Sequence, residues 1–180
     1  MRSFIAVALR NEKIQDVLEE LRAVKADTKV VKPENLHLTL NFLGEIPQEK
    51  IDDIYDVMKN SLKTSPFNVD LHGLGAFPSV KRIRVIWVGF RENADKFIQM
   101  NCDLEENLER LGFKREYRFH PHLTIARVKS PRGKEELQAL LEKYKDVNFG
   151  VLHVSKVELK KSVLTPKGPI YSTLREVTLE

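Results

Sequence analysis

The chain is poor in the features that mark secreted, membrane-embedded or metal-cluster proteins. It has one cysteine, Cys102, among 180 residues, which excludes an internal disulfide framework and any zinc or iron–sulfur site built from several cysteines. No apolar run approaches the roughly 20 residues that a membrane-spanning helix needs. The apolar run at residues 3–9 has no small-residue cleavage site, so we interpret it as a first strand and not as a signal peptide. These absences predict a cytoplasmic protein with no membrane partner.

Neither positive nor negative charge is in large excess. The chain has 30 Lys and Arg against 26 Asp and Glu, which gives a net charge of +4 and a pI near 9.1. A mildly basic chain permits an anionic partner without requiring one. One cluster of basic residues lies on both sides of a histidine pair in the second half of the chain. Its members are Lys114, Arg115, Arg118, Arg127, Lys129 and Arg132.

Hydrophobic periodicity predicts four helices and about eight strands. The helices carry apolar stripes at helical spacing that begin at Ile14, Ile51, Phe97 and Leu137. Runs rich in Val, Ile, Leu, Phe and Thr predict strands at residues 3–9, 28–31, 36–43, 67–76, 82–90, 121–128, 148–160 and 169–179. Two helices precede a strand pair before the third helix begins, which favours antiparallel sheets over a parallel arrangement. We therefore expect an α+β fold.

The chain resembles itself at an offset of about half its length. Three segments of the first half recur in the second, namely Phe4–Arg10 in Val85–Arg91, His37-Leu38-Thr39 in His122-Leu123-Thr124, and Leu71-His72 in Leu152-His153. This self-similarity predicts two pseudo-symmetric lobes of antiparallel sheet with helices outside. We expect one bilobed domain over residues 1–180 with an internal duplication whose second half begins near residue 82. The cleft between such lobes is a common place for an active site.

The two His-x-Thr repeats are the strongest functional signal. Because alternate residues of a strand point to the same face, His37 and Thr39 point together, as do His122 and Thr124. The residues between and after them are apolar and are expected to pack into the core. If the pseudo-symmetry axis passes through the cleft, two imidazole–hydroxyl pairs face each other across it.

This set of groups favours phosphoester chemistry without a metal. Two imidazoles without a nearby cysteine or carboxylate at ligand spacing leave a zinc site underfilled. No sequence marks the nucleophile turn of a serine hydrolase. One neutral imidazole can instead accept a proton from attacking water while a second, protonated one donates to the leaving oxygen. Threonine hydroxyls can donate to the phosphate oxygens on which charge develops.

The motifs also resemble a known family. Residues 31–45 and 119–127 are similar to the two signature segments of the two-histidine phosphoesterase superfamily. Within that superfamily the match is to the RNA 2′,3′-cyclic phosphodiesterases, historically named 2′-5′ RNA ligases. Residues 73–78 and the pattern from Ser162 to Tyr171 are similar to that family as well. The resemblance spans nearly the whole chain.

The resemblance implies a bilobed α+β fold and metal-independent hydrolysis of a terminal 2′,3′-cyclic phosphate to a 2′-phosphomonoester. It implies that His37 is the proton donor and His122 the proton acceptor. Thr39 and Thr124 match the threonines that hold the phosphate, and Arg127 matches an arginine that helps to bind it. Because simple alternation would turn Arg127 away from His122, a strand end or a β-bulge is needed to bring it into the site.

Other residues have weaker interpretations. Phe42 occupies the position in the first repeat that Arg127 has in the second, and it is either a platform for an RNA base or, as we favour, a core residue. His120 is either structural or a substrate contact. We interpret four further residues as structural or core, namely His72, His153, Trp87 and Cys102. Four arginines are candidates for guiding RNA phosphates, namely Arg82, Arg84, Arg115 and Arg118.

Two alternatives to hydrolysis stay open at this point. The first is 2′-5′ RNA ligation as the main activity, which uses related chemistry. The second is a non-catalytic RNA-binding module, which would need the basic residues but not both histidines. The expected partners are RNA with a 2′,3′-cyclic phosphate or 2′-phosphate end and, in addition, nucleotides bound in the cleft. We expect a monomer with no metal and no cofactor.

Overall fold

The computed structural model describes residues 1–180 and contains nine strands and four α-helices. The strands are β1 (Arg2–Ala8), β2 (Thr28–Val30), β3 (His37–Glu45), β4 (Phe67–Pro78), β5 (Ile83–Phe90), β6 (Leu123–Val128), β7 (Asn148–Val154), β8 (Lys156–Thr165) and β9 (Gly168–Thr178). The helices are α1 (Glu12–Ala23), α2 (Ile51–Ser61), α3 (Ala94–Arg110) and α4 (Lys134–Tyr144). Short 3-10 helices at Pro33–Asn35 and Gln48–Lys50 precede β3 and α2.

The strands form two antiparallel sheets. The four-stranded sheet has the order β3-β1-β8-β9, and the five-stranded sheet has the order β2-β6-β5-β4-β7. α2 and α3 contact the four-stranded sheet, and α1 and α4 contact the five-stranded sheet. This arrangement confirms the predicted α+β fold of antiparallel sheets that carry helices.

The helices form where the apolar stripes predicted them. A cluster of 41 buried residues joins the helix stripes to the helix-facing sides of both sheets. Phe4 and Ala6 are also buried but lie outside this cluster, because they point to the other face of β1. That face of the sheet carries the residues of the site described below. None of the four helices has both the length and the apolarity that crossing a bilayer requires.

Two details of the predicted strands are wrong. The run at residues 148–160 is not one strand. The strand conformation is interrupted at Ser155, and the strands on either side of it, β7 and β8, belong to different sheets. The echo of Leu71-His72 in Leu152-His153 does not mark equivalent positions either. β4 and β7 are neighbours in one sheet and pair Val69 with Leu152.

The central strands of the two sheets have matching orders. In β3-β1-β8 and in β6-β5-β4, a motif strand lies beside the first strand of its own half of the chain. The third strand of each set comes from the other half, so each half completes the sheet of the other. This exchange supports the interpretation of residues 1–180 as one domain. The internal duplication itself stays a prediction.

Candidate active site

The two motif strands pair with their neighbours in the same register. Thr39 lies opposite Ala6 in β1, and Thr124 lies opposite Trp87 in β5. Residues that oppose each other in a sheet share a face, so both threonines lie on the cleft faces of their sheets. β3 and β6 also contact each other across the gap between the two sheets. The fold therefore brings the two His-x-Thr segments together although they are far apart in the sequence.

Each motif strand has a β-bulge directly after its threonine. Leu40 in β3 and Ile125 in β6 have no partner in the neighbouring strand, and pairing resumes one residue later. The extra residue reverses the alternation of side chains. Phe42 and Arg127 consequently return to the cleft faces, where both are exposed. The β-bulge that Arg127 needs in order to face the site is thus confirmed, and the equivalent bulge in β3 turns Phe42 toward the cleft.

The carbonyl group of each bulge residue accepts a hydrogen bond although the residue has no partner in β1 or β5. The side-chain amide of Asn101, on α3, donates to the carbonyl of Leu40 over 2.8 Å. The backbone N–H of Val31 donates to the carbonyl of Ile125 over 2.9 Å. Because an unpaired buried carbonyl is costly, these donors stabilise the bulges and with them the positions of the residues that follow.

His37 is held at both ring nitrogens. Its Nδ1 donates to the carbonyl oxygen of Asn35 over 2.7 Å. A carbonyl oxygen can only accept, so Nδ1 carries the proton and Nε2 of the neutral ring carries the lone pair. Nε2 lies 3.0 Å from the hydroxyl oxygen of Thr39. The ring is therefore oriented with Nε2 toward the cleft face that carries Thr39.

His122 is held by a hydrogen bond at only one of its two ring nitrogens. Its Nδ1 donates to the carbonyl oxygen of His120 over 2.6 Å. No side chain or backbone group forms a hydrogen bond with its Nε2. His120 is itself exposed, and it contributes to the site through its carbonyl group, which orients the imidazole of His122.

The surroundings lower the pKa of both motif histidines. Burial is the main cause for His37 and for His122, and in each case the hydrogen bond to a backbone carbonyl opposes it. The guanidinium of Arg127 lowers the pKa of both rings, whereas the ammonium of Lys160 lowers that of His37. Arg127 therefore acts electrostatically on both halves of the site, and Lys160 acts on one.

Aromatic rings pack against both imidazoles. Around His37, the ring of Phe4 lies at 5.0 Å and the ring of Tyr171 stands edge-on at 5.3 Å. His122 has Phe77 edge-on at 5.1 Å. Such contacts restrict the rotation of each imidazole. Burial raises the pKa of Tyr171, so its phenol stays protonated and can donate a hydrogen bond.

Three polar residues on β8 and β9 complete the floor of the His37 half. Lys160 lies opposite Phe4, with a side chain that is only 15% exposed, and it forms an ion pair with Glu158 over 3.5 Å. The hydroxyl group of Thr173 donates to the same carboxylate. The corresponding half around His122 has no such ion pair, so the two halves differ in charge although they share their backbone geometry.

Sequence reasoning did not identify Phe4, Lys160 or Glu158 as parts of the site. Phe77 and Tyr171 had been noted only as parts of segments that resemble a family. These residues come from strands far from the His-x-Thr motifs in the sequence, and no local pattern distinguishes them from other strand residues. Only the cross-strand register shows that they lie beside the histidines.

Some of the weaker interpretations are wrong. Phe42 is 61% exposed and is not a core residue, and Cys102 is exposed on α3. Trp87 is only partly buried and lies on the cleft face over Gly75, so closely that a methyl group there would meet its ring at 2.2 Å. Arg115 forms ion pairs with two glutamates, which is a structural role.

The remaining histidines lie outside the site. His153 contacts the side-chain oxygen of Asn68 over 2.8 Å, and Nδ1 of His72 is buried without a partner. No three His, Cys, Asp or Glu side chains come together in an arrangement that could hold a metal ion. Of the residues proposed from sequence, the structure brings together both His-x-Thr pairs, Arg127 and Phe42.

Comparison with known proteins places this site in a family. The sequence profile of the 2′-5′ RNA ligase superfamily matches residues 10–162. This chain belongs to the 2′-5′ RNA ligase superfamily. The part that matches this superfamily contains both His-x-Thr motifs and both bulges, whereas Tyr171 lies beyond it.

Curated relatives of this superfamily member cover the same length. The chain is 40% identical over 178 residues to a protein of Archaeoglobus fulgidus named RNA 2′,3′-cyclic phosphodiesterase, with 97% of this chain and 98% of that protein covered. It is 38% identical over 179 residues to the protein of the same name from Methanothermobacter thermautotrophicus, with 97% and 96% covered.

Solved structures agree with the superfamily assignment. A Thermus thermophilus crystal structure superposes with a TM-score of 0.80 at 31% identity, covering 99% of this chain and 98% of that one. The crystal structure of E. coli LigT complexed with 3′-AMP superposes with a TM-score of 0.78 at 25% identity, covering 99% and 97%.

Proposed function

We propose that this protein hydrolyses the 2′,3′-cyclic phosphate at the end of an RNA to a 2′-phosphomonoester. The observation that carries the proposal is the shared register of the two motif strands, which presents two imidazole–hydroxyl pairs on the faces of one cleft. The common name of the relatives, RNA 2′,3′-cyclic phosphodiesterase, supports the same activity.

The proposed reaction needs one base and one acid on opposite sides of the phosphorus atom. Nε2 of His122, which has no protein partner, accepts a proton from water as the water oxygen bonds to phosphorus. The bond between phosphorus and the 3′-oxygen breaks, and protonated Nε2 of His37 donates its proton to that oxygen. The products are a 3′-hydroxyl group and a 2′-phosphate. The two histidines have then exchanged protonation states, and solvent restores them.

Thr39, Thr124 and Arg127 are proposed to hold the non-bridging oxygens. Hydroxyl and guanidinium donors stabilise the negative charge that grows on these oxygens as water adds. The bound phosphate also changes the electrostatics of the acid. Its negative charge opposes the lowering of the His37 pKa by Lys160 and Arg127 and so favours the protonated ring in the complex.

The proposed substrate is an RNA end, and a nucleotide is a second ligand that fits. E. coli LigT, which shares this fold, has been crystallised with 3′-AMP. The proposed active form is a monomer. No step of the proposed reaction uses a cofactor.

The proposal is tested with the pure protein and a short RNA that ends in a 2′,3′-cyclic phosphate, in the presence of a chelator. We expect a product that is heavier by one water and that loses its phosphate to a phosphomonoesterase. His122→Asn keeps the size of the side chain but removes the base, and it should abolish turnover. Unchanged substrate with the wild-type protein, with or without added Mg²⁺ or Zn²⁺, would exclude the proposed function.

The alternatives are separate outcomes of the same experiment. If an added RNA with a free 5′-hydroxyl end were joined to the substrate faster than water adds, ligation would be the main activity. If RNA bound with unchanged affinity in both His37→Ala and His122→Ala and the wild type had no turnover, the chain would be an RNA-binding module.

A further inference from the structure

Only two aromatic residues of this protein are exposed. The chain has nine Phe, four Tyr and one Trp, and of these only Phe42, at 61%, and Tyr117, at 83%, are exposed. Phe42 is on the cleft face, with its ring 6.4 Å from that of Phe4, which in turn packs against His37. A single exposed aromatic residue needs no explanation. Here one exposed ring lies close to His37, and the other belongs to the segment that leads to His122.

The segment that carries Tyr117 adjoins Phe42. Phe42 lines a small cavity together with Phe113, Lys114 and Glu116, which belong to the segment between α3 and β6. Tyr117 follows Glu116 directly, and it precedes His122 by five residues. Five residues span at most about 17 Å, so the Tyr117 ring is within reach of an RNA strand whose end is at the histidines.

The segment that carries Tyr117 has a fixed shape. Glu105, on α3, is 8% exposed. It accepts a hydrogen bond of 3.0 Å from the backbone N–H of Glu116, and it forms an ion pair with Arg115 over 3.7 Å. The guanidinium of Arg115 in turn lies over the Tyr117 ring, 5.4 Å from its centre. These contacts hold the aromatic ring out in solvent, where it adds nothing to the stability of the core.

Unpaired cations flank the two rings. Lys114 and Arg118 are exposed and form no ion pair, whereas Arg115 between them is neutralised by Glu105 and Glu109. Exposed aromatic faces combined with free cations are the common features of surfaces that bind single-stranded nucleic acid without reading its sequence. A mononucleoside cyclic phosphate has only one base, so it can stack on at most one of the two rings.

We propose that Phe42 and the segment 113–118, which we call the Tyr117 loop, form a binding site for the RNA strand that leads to the cyclic phosphate. Bases upstream of the reacting nucleotide stack on Phe42 and Tyr117, and their phosphates contact Lys114 and Arg118. The protein is then selective for RNA ends over mononucleoside 2′,3′-cyclic phosphates. This inference rests on the proposed function for its substrate, but its binding test does not require turnover.

The first measurement is the affinity of the protein for labelled single-stranded RNAs of one to eight nucleotides that end in a 2′-phosphate. We expect affinity to rise with length over the first few nucleotides and then to level off. Tyr117→Ala should remove at least ~5-fold of the affinity for the longer RNAs, while Tyr117→Phe, which keeps the ring, should retain it. Lys114→Ala should lower the slope of log affinity against log salt by about 0.7.

The second measurement is the ratio of kcat/KM for a six-nucleotide substrate to that for a mononucleoside 2′,3′-cyclic phosphate. This ratio should fall at least ~5-fold in Tyr117→Ala. Lys96→Ala is the matched control, because Lys96 is exposed at the other end of α3, about 20 Å along the helix from the loop, and it should change neither measurement.

The outcomes separate the two proposals. Affinity that does not depend on RNA length, or a Tyr117→Ala variant that binds all lengths like the wild type, would overturn the strand site while leaving hydrolysis intact. If the wild-type protein did not hydrolyse the RNA but bound it with an affinity that depends on RNA length and on Tyr117, the proposed function would be overturned and the strand site retained. Thermal unfolding of each variant is measured to check that the variant is folded.

Discussion

Phe42 and Arg127 occupy the same position in the two motif strands, three residues after the threonine and two residues after the unpaired residue of a β-bulge. Phe42 lies opposite Phe4, and Arg127 lies opposite Val85. The backbone thus offers the cleft two equivalent positions, which the sequence fills with an aromatic ring on one side and a cation on the other. A cleft with this asymmetry can hold a phosphate near Arg127 and a base near Phe42.

The pH dependence of turnover should reflect the lowered pKa of both histidines. The free enzyme must have His122 neutral and His37 protonated, so kcat/KM should be bell-shaped with its maximum on the acid side of pH 6.5, the ordinary pKa of histidine. Above this maximum kcat/KM should fall, because a deprotonated His37 cannot donate a proton. The plot of kcat should extend to higher pH, because the bound phosphate favours protonated His37.

Substitution of the two histidines tests the same assignment. His37→Ala and His122→Ala should each lower kcat by about 10²-fold or more. The double variant should lose much less than the product of the single losses, because the two rings act as a unit. Turnover close to wild type in either single variant would remove that histidine from the mechanism.

Lys160 gives a way to change the pKa of one histidine alone. Its ammonium lowers the pKa of His37 and is not among the groups that lower that of His122. Lys160→Gln should therefore raise the pKa of His37 and leave that of His122 in place, which an NMR titration of the imidazole signals measures. The maximum of kcat/KM should move to higher pH with it, because it lies midway between the two pKa values. Lys161→Gln, on the opposite face of β8, is the control. An unchanged maximum in Lys160→Gln, despite a raised His37 pKa, would remove His37 from the pH dependence of turnover.

Arg127 should affect both histidines and the phosphate. Because its guanidinium lowers the pKa of both rings, Arg127→Ala should raise both pKa values, which an NMR titration of the imidazole signals measures directly. The variant should also lose activity, and its RNA affinity should depend less on salt, by about 0.7 in the log–log slope. Arg91→Ala, exposed at the end of β5, should change none of these. Unchanged imidazole titrations would place Arg127 at the surface and outside the site.

Asn101 should stabilise the bulge that positions Phe42. Removal of its amide in Asn101→Ala leaves the buried carbonyl of Leu40 without a donor, and we expect a loss of about 1–3 kcal/mol in the free energy of unfolding. Gln99→Ala, on the exposed side of the same helix, should cost within about 0.5 kcal/mol. Urea unfolding of the two variants compares them, and equal stabilities would mean that the bulge needs no help from α3.

Much of the fold could be predicted because it depends on local spacing. The four helices lie where apolar stripes occur at helical intervals, and the stop of α3 is explained by Gly112, which adopts a left-handed conformation with a φ of 93°. The same spacing could have corrected one error. Cys102 lies off the stripe formed by Phe97, Met100 and Leu104, so its exposure follows from the helix itself.

Other errors had no local remedy. Residues 148–160 are uniformly strand-like, yet the chain turns at Ser155 and leaves one sheet for the other. The exposure of Phe42 depends on a β-bulge that no residue type in β3 indicates. In both cases the decisive interactions come from distant segments, such as the donor on Asn101 or the partner strands of β7 and β8.

The sequence by itself determined the chemistry of this protein, because a strand period of two places His37 with Thr39 and His122 with Thr124 in any fold that keeps them extended. It also indicated that Arg127 would need a bulge to join them. Only the tertiary structure decided that both pairs meet in one cleft, that Lys160 and Tyr171 belong to the half around His37, and that Phe42 returns to the cleft face. The physical reason is that strand order and register depend on pairing between segments more than 100 residues apart, such as β1 with β8, which the local sequence pattern does not encode.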